Sequence, residues 1–89
     1  MEPVSSVTAF VLRHATRPTD DPVAVDILSA LDPEARLVIE AQAVPPGERR
    51  AWLRARTGRD WSDAWLRHVE DGVFVTLRRE LQRRGLLRA

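Results

Sequence analysis

Eighty-nine residues, 44% hydrophobic and 30% charged, suit one small domain over residues 1–89 and exclude a disordered chain. The absence of cysteine rules out a disulfide framework and a thiolate metal site. The longest apolar run near the N-terminus, residues 7–12 with Thr8 inside it, is too short for a signal sequence or a membrane span, so a cytoplasmic protein is the expectation.

The net charge of +1 conceals a polarity. Residues 1–44 set three Arg against seven acids (−4), and residues 45–89 set eleven Arg against six acids (+5). An acidic half joined to a basic half points to an internal electrostatic match or to a basic face for an anionic partner. Every basic residue is Arg, which offers bidentate contacts to phosphate or carboxylate that Lys cannot.

Helix punctuation divides the chain into six segments. Ser5 or Ser6 caps a first helix over residues 7–16, closed by Arg17-Pro18. Asp21-Pro22 combines a cap with a proline at the first helical position and opens a helix to residue 31. Asp32-Pro33 repeats the device for residues 34–44. Pro45-Pro46-Gly47 interrupts the chain before residues 48–57, which Gly58 ends. Asp60 and Asp63 resemble a capping box and start residues 61–71. Gly72 then separates a last helix over residues 73–84, stopped by Gly85.

Apolar residues recur at helical spacing in each segment, as in Val7, Phe10, Val11 and His14, or Ala24, Ile27, Leu28 and Leu31. Trp61, Trp65 and Val69 form a further stripe, and Phe74, Leu77 and Leu81 the last. The expected fold is therefore all-α, a compact bundle of about six short helices. Arg36–Glu40, Asp63–Arg67 and Glu80–Arg84 stand four apart, as on solvent faces.

Catalytic groups are scarce. His14 and His68 lie 54 residues apart, show no HxxxH or HExxH spacing, and fall on apolar faces, so both read as structural residues at the core edge. Asp20-Asp21, Asp32, Asp60 and Asp63 stand where helix caps need them, and the four glycines read as turns rather than a phosphate-cradling loop. No enzymatic activity, cofactor, metal or small-molecule substrate is expected.

Trp61 and Trp65 read as core, whereas Trp52 divides evenly between core and an exposed anchor beside Arg54, Arg56 and Arg59. On the last helix Phe74, Leu77 and Leu81 turn inward, while Thr76, Arg79, Arg83 and Arg84 turn broadly outward. Only Glu80 interrupts the charge of Arg78, Arg79, Arg83 and Arg84, so the face is either simply solvated or a surface for an anionic partner.

Ser62 lies fourteen residues before Thr76 and Leu81 five after it, across the Asp71-Gly72 turn. This pattern resembles a helix-turn-helix, with spacings similar to the promoter-reading C-terminal domain of sigma factors. Leu31-Asp-Pro-Glu-Ala-Arg-Leu-Val-Ile looks like the helix that opens that domain, and residues 76–87 are similar to the end of a winged-helix recognition helix. The resemblance covers the last third of the chain. It implies DNA contacts by Arg79 and Arg83, with Thr76, Arg78 and Arg84 beside them, in a dimer or larger assembly.

Two functions follow as expectations. The first is a small regulatory DNA-binding protein using the Arg-rich last helix, with Arg54 extending the basic surface. The second is a protein-interaction adaptor whose acidic and basic faces pair between copies or with an acidic protein surface. For the second, the resemblance is to death-fold domains in size and helix count alone. The balance of residues places DNA narrowly first.

Overall fold

The computed structural model describes residues 1–88. It is all-α, with five helices rather than six. Helix α1 begins as one α-helical turn, Val7–Phe10, and widens into a π-helical turn, Val11–Ala15. Helices α2 (Pro22–Ser29) and α3 (Pro33–Glu40) follow, the latter tightening into a 3-10 turn at Ala41–Ala43. A 3-10 turn at Pro46–Glu48 leads into α4 (Arg49–Thr57), and the chain finishes with α5 (Asp63–Arg83).

The caps explain where the helices start. Asp21 accepts hydrogen bonds from the Val23 and Ala24 amides at 3.0 and 3.2 Å, and Asp32 accepts one from Ala35 at 2.8 Å. Ser6 does the same for Ala9. For α5 the cap is Ser62, bonded to the Trp65 amide at 3.0 Å, and not the Asp60–Asp63 box. That shift leaves Trp61 outside the helix, in the connection that precedes it.

Glycine settles the helix ends only where its conformation is needed. Gly58 and Gly85 take φ of 73° and 70°, left-handed values that cost other residues dearly. At Gly85 the two closing bonds run from Gly85 to the Gln82 carbonyl and from Leu86 to that of Leu81, a Schellman arrangement.

Gly72 does neither. It sits within α5, which runs unbroken for 21 residues where the sequence implied two helices and a turn. The reason lies in the buried stripe: Leu66, Val73, Leu77 and Leu81 form one inward line that crosses the glycine. A glycine in a helix interior costs about 1 kcal/mol relative to Ala, less than burying even one of those side chains recovers.

Two clusters make the core. The larger joins α1, α2, one side of α3 through Ala35 and Ile39, and the second half of α5 around Phe10, Leu28 and Leu77. The smaller gathers Val38, Ala41, Leu53, Trp61 and Leu66. Beyond α5 the chain turns back, and Leu86 and Arg88 exchange backbone hydrogen bonds with Val4 at 2.8 Å, forming an isolated parallel bridge. Among the described residues two ion pairs link the acidic half to the basic half, Arg84 with Asp26 at 2.5 Å and Arg59 with Glu34.

Candidate interaction face on the last helix

Helix α5 is about 30 Å long and is buried along only one side. Its opposite side carries Trp65, His68, Gly72, Val75 and Arg79, all exposed, at alternating steps of three and four. That spacing keeps them in one line along the helix surface. Trp65 and Val75 expose 46% and 47% of their surface, and they stand in one line rather than singly. Trp65 was expected in the core with Trp61. Only Trp61 is buried, with its indole N–H donating to the Thr57 hydroxyl at 3.1 Å.

The Trp65 ring leans on the His68 imidazole, with centroids 5.4 Å apart. His68 is therefore an exposed partner of a surface aromatic and not a core-edge residue. Beside this line runs an open cleft of about 780 Å³, walled on one side by α5 from Trp65 to Thr76. Its other wall is the α2–α3 turn and the start of α3, which bring Asp32, Pro33 and Glu34 to the rim. Gly72 is among the lining residues, and a Cβ built there would meet no atom within 4 Å.

The arginines expected to act together divide into two groups. Arg78 and Arg79 are exposed and have no ion-pair partner among the described residues, and the same holds for Arg67. Arg83 and Arg84 are engaged instead, since both grip Glu80, at 2.5 and 2.7 Å, and Arg84 also holds Asp26. Hydrogen bonds from Arg83 and Arg84 hold the Glu80 carboxyl down at about 2 and raise both guanidinium groups in return. Arg54 lies on α4 and faces Asp60 at 3.2 Å. The Thr76 hydroxyl donates to the Gly72 carbonyl at 2.9 Å within α5. Asp63 faces Arg50 at 3.5 Å, so the anticipated Asp63–Arg67 pair is replaced by a tie between α4 and α5.

Trp52 is half-buried, with the Arg56 guanidinium 3.6 Å above its ring. His14 belongs to a different part of the molecule. It is buried on the π-helical turn, its Nδ1 lies 3.0 Å from the Thr19 hydroxyl, and burial lowers its pKa, with nearby Asp21 opposing that shift. The expectation of a structural histidine describes its position.

No family model, curated protein or solved structure matches the chain. The residues from Ser62 to Leu81 that carry the helix-turn-helix resemblance lie along one continuous helix, with no turn at Asp71-Gly72. The outward line was present in the sequence as the 3-4-3-4 spacing of residues 65, 68, 72, 75 and 79. Reading Gly72 as a break hid it.

Proposed function

We propose that this chain is a non-catalytic interaction domain that presents the outward line of α5 to a protein partner. One observation carries the reading. Trp65, His68, Val75 and Arg79 form a continuous exposed row beside a cleft, with the aromatic, imidazole, aliphatic and guanidinium chemistry that interface cores favour. Two of the chain's four large exposed apolar side chains stand in that row. Arg83, Arg84 and Arg54 each already face a carboxylate, Glu80, Asp26 or Asp60, so they are less available than Arg79.

The test is partner capture with the purified protein, run beside Trp65→Ala and Arg79→Ala variants and an Arg13→Ala control on another helix. Binding is then reconstituted with the purified partner. The reading expects each α5 variant to weaken that complex at least tenfold and the control to leave it unchanged. A partner whose binding ignores both α5 variants would refute it.

DNA is the second reading, favoured by the unpaired Arg67, Arg78 and Arg79. Three free cations on α5 limit the salt dependence of log affinity to a slope of about −2.7. Fluorescence anisotropy of a labelled duplex across a salt series measures that slope. Binding lost in an Arg78→Ala/Arg79→Ala double variant would establish DNA in place of protein.

A further inference from the structure

We propose that the occupant of this face is a second copy of the same chain, docked with the two α5 helices antiparallel and crossing at Gly72. The inference rests on the reading of α5 as a protein-binding face and names its partner. It comes from a symmetry about Gly72 in the exposed face formed by the row and Thr76 beside it. Trp65 and Arg79 stand seven residues to either side of Gly72, and His68 and Thr76 stand four to either side. An antiparallel pair related by a two-fold axis at Gly72 therefore sets Arg79 of each copy over Trp65 of the other, and His68 opposite Thr76. The first is a cation–π pair made twice, and in the second an imidazole N–H can donate to the Thr76 hydroxyl oxygen, whose own proton goes to the Gly72 carbonyl.

The glycine has a purpose in that arrangement. It is exposed and helical, with no atom within 4 Å of where its Cβ would be, so nothing inside one copy requires it. At a helix crossing, the missing side chain lets two backbones approach at the short end of the 8–10 Å range for packed helices. The 3-4-3-4 spacing of the row matches a seam between two helices.

Charge selects the direction. A parallel pair would set Arg79 against its own counterpart, like charge on like, with the Glu80-paired Arg83 next along the same side. Antiparallel docking carries those arginines toward the Trp65 end of the facing cleft, whose rim holds Asp32 and Glu34. Asp32 has no cationic partner among the described residues, and Glu34 is shared with Arg59, which sits beside Trp61 just before α5. The incoming basic end and the acidic rim are complementary.

Sedimentation equilibrium from low micromolar to ~1 mM tests this, since weak isologous dimers dissociate in that range. Wild type, Trp65→Ala, Gly72→Gln and Arg88→Ala are compared, with circular dichroism confirming that each folds. Gly72→Gln projects into open space in a single copy and blocks the crossing in a pair. We expect a wild-type dimer, weakened tenfold or more by Trp65→Ala and by Gly72→Gln, and unchanged by Arg88→Ala.

Direction is read by oxidation of introduced cysteines in this cysteine-free chain. A His68→Cys/Thr76→Cys double variant, which leaves Gly72 and Trp65 in place, should cross-link position 68 of one copy to position 76 of the other, since the two are too far apart to join within one helix. Gln82→Cys should not, because its copies lie roughly 30 Å apart in the antiparallel pair and adjacent in a parallel one. A wild-type protein monomeric throughout overturns the self-pairing, while the tenfold partner test above still decides whether the face binds protein. A dimer indifferent to Trp65→Ala and Gly72→Gln, or a Gln82→Cys cross-link, overturns the geometry proposed.

Discussion

Replacing Gly72 by Ala separates a continuous α5 from two helices joined by a turn. In a continuous helix Gly72 has ordinary helical φ, and an added methyl meets nothing within 4 Å. The substitution then acts mainly by removing backbone freedom from the unfolded chain. That contributes about 0.5–1 kcal/mol of stability, and for a domain of this size about 4–8 °C in Tm per kcal/mol. Gly58→Ala and Gly85→Ala make the same chemical change at φ of 73° and 70°, where the new Cβ is strained, and should lose about 1 kcal/mol each. Thermal unfolding followed by circular dichroism at low protein concentration, where self-association adds nothing, reads all three. A stabilised Gly72→Ala beside two destabilised controls is the expected result. If Gly72→Ala instead falls with the controls, the glycine occupies a turn and the outward row of α5 does not exist as a line.

Trp61→Ala should cost about 3–5 kcal/mol, because it empties the centre of the smaller core, and chemical denaturation would show it as a lower midpoint. Trp65→Ala, four residues away on the exposed side, should cost far less in the same assay. His14, with its pKa lowered by burial, makes stability fall as pH drops below about 6.5, since the unfolded chain then takes up a proton that the native imidazole resists. His14→Gln should flatten that part of the curve of unfolding midpoint against pH. Glu80 acts lower down: its folded pKa of about 2 stabilises the native state above the ordinary 4.5, an effect lost as pH falls from 4.5 toward 2, and Glu80→Gln should remove it. Asp32→Ala removes the cap of α3 and should cost about 1 kcal/mol in thermal unfolding.

The all-α class and most of the helix boundaries were legible in the order of the residues alone. Those are local matters: Asp21-Pro22 and Asp32-Pro33 satisfy amides within the next turn, and Gly58 and Gly85 end helices by adopting a φ that needs no distant contact. His14 as a buried residue and the i,i+4 pairs Arg36–Glu40 and Glu80–Arg84 were legible for the same reason. The candidate face was not. Whether Gly72 breaks a helix depends on whether the apolar residues on its two sides face the same way, and that is known only once Leu66 packs in the smaller cluster and Val73 in the larger, with Val69 against both. The same holds for Trp61 and Trp65, whose spacing suggested one buried stripe until the Ser62 cap placed Trp61 before the helix and turned Trp65 outward. Which arginines remain free was likewise a tertiary decision. Asp26 and Arg84 are 58 residues apart, and only folding brings that carboxylate to the guanidinium while leaving Arg78 and Arg79 to solvent.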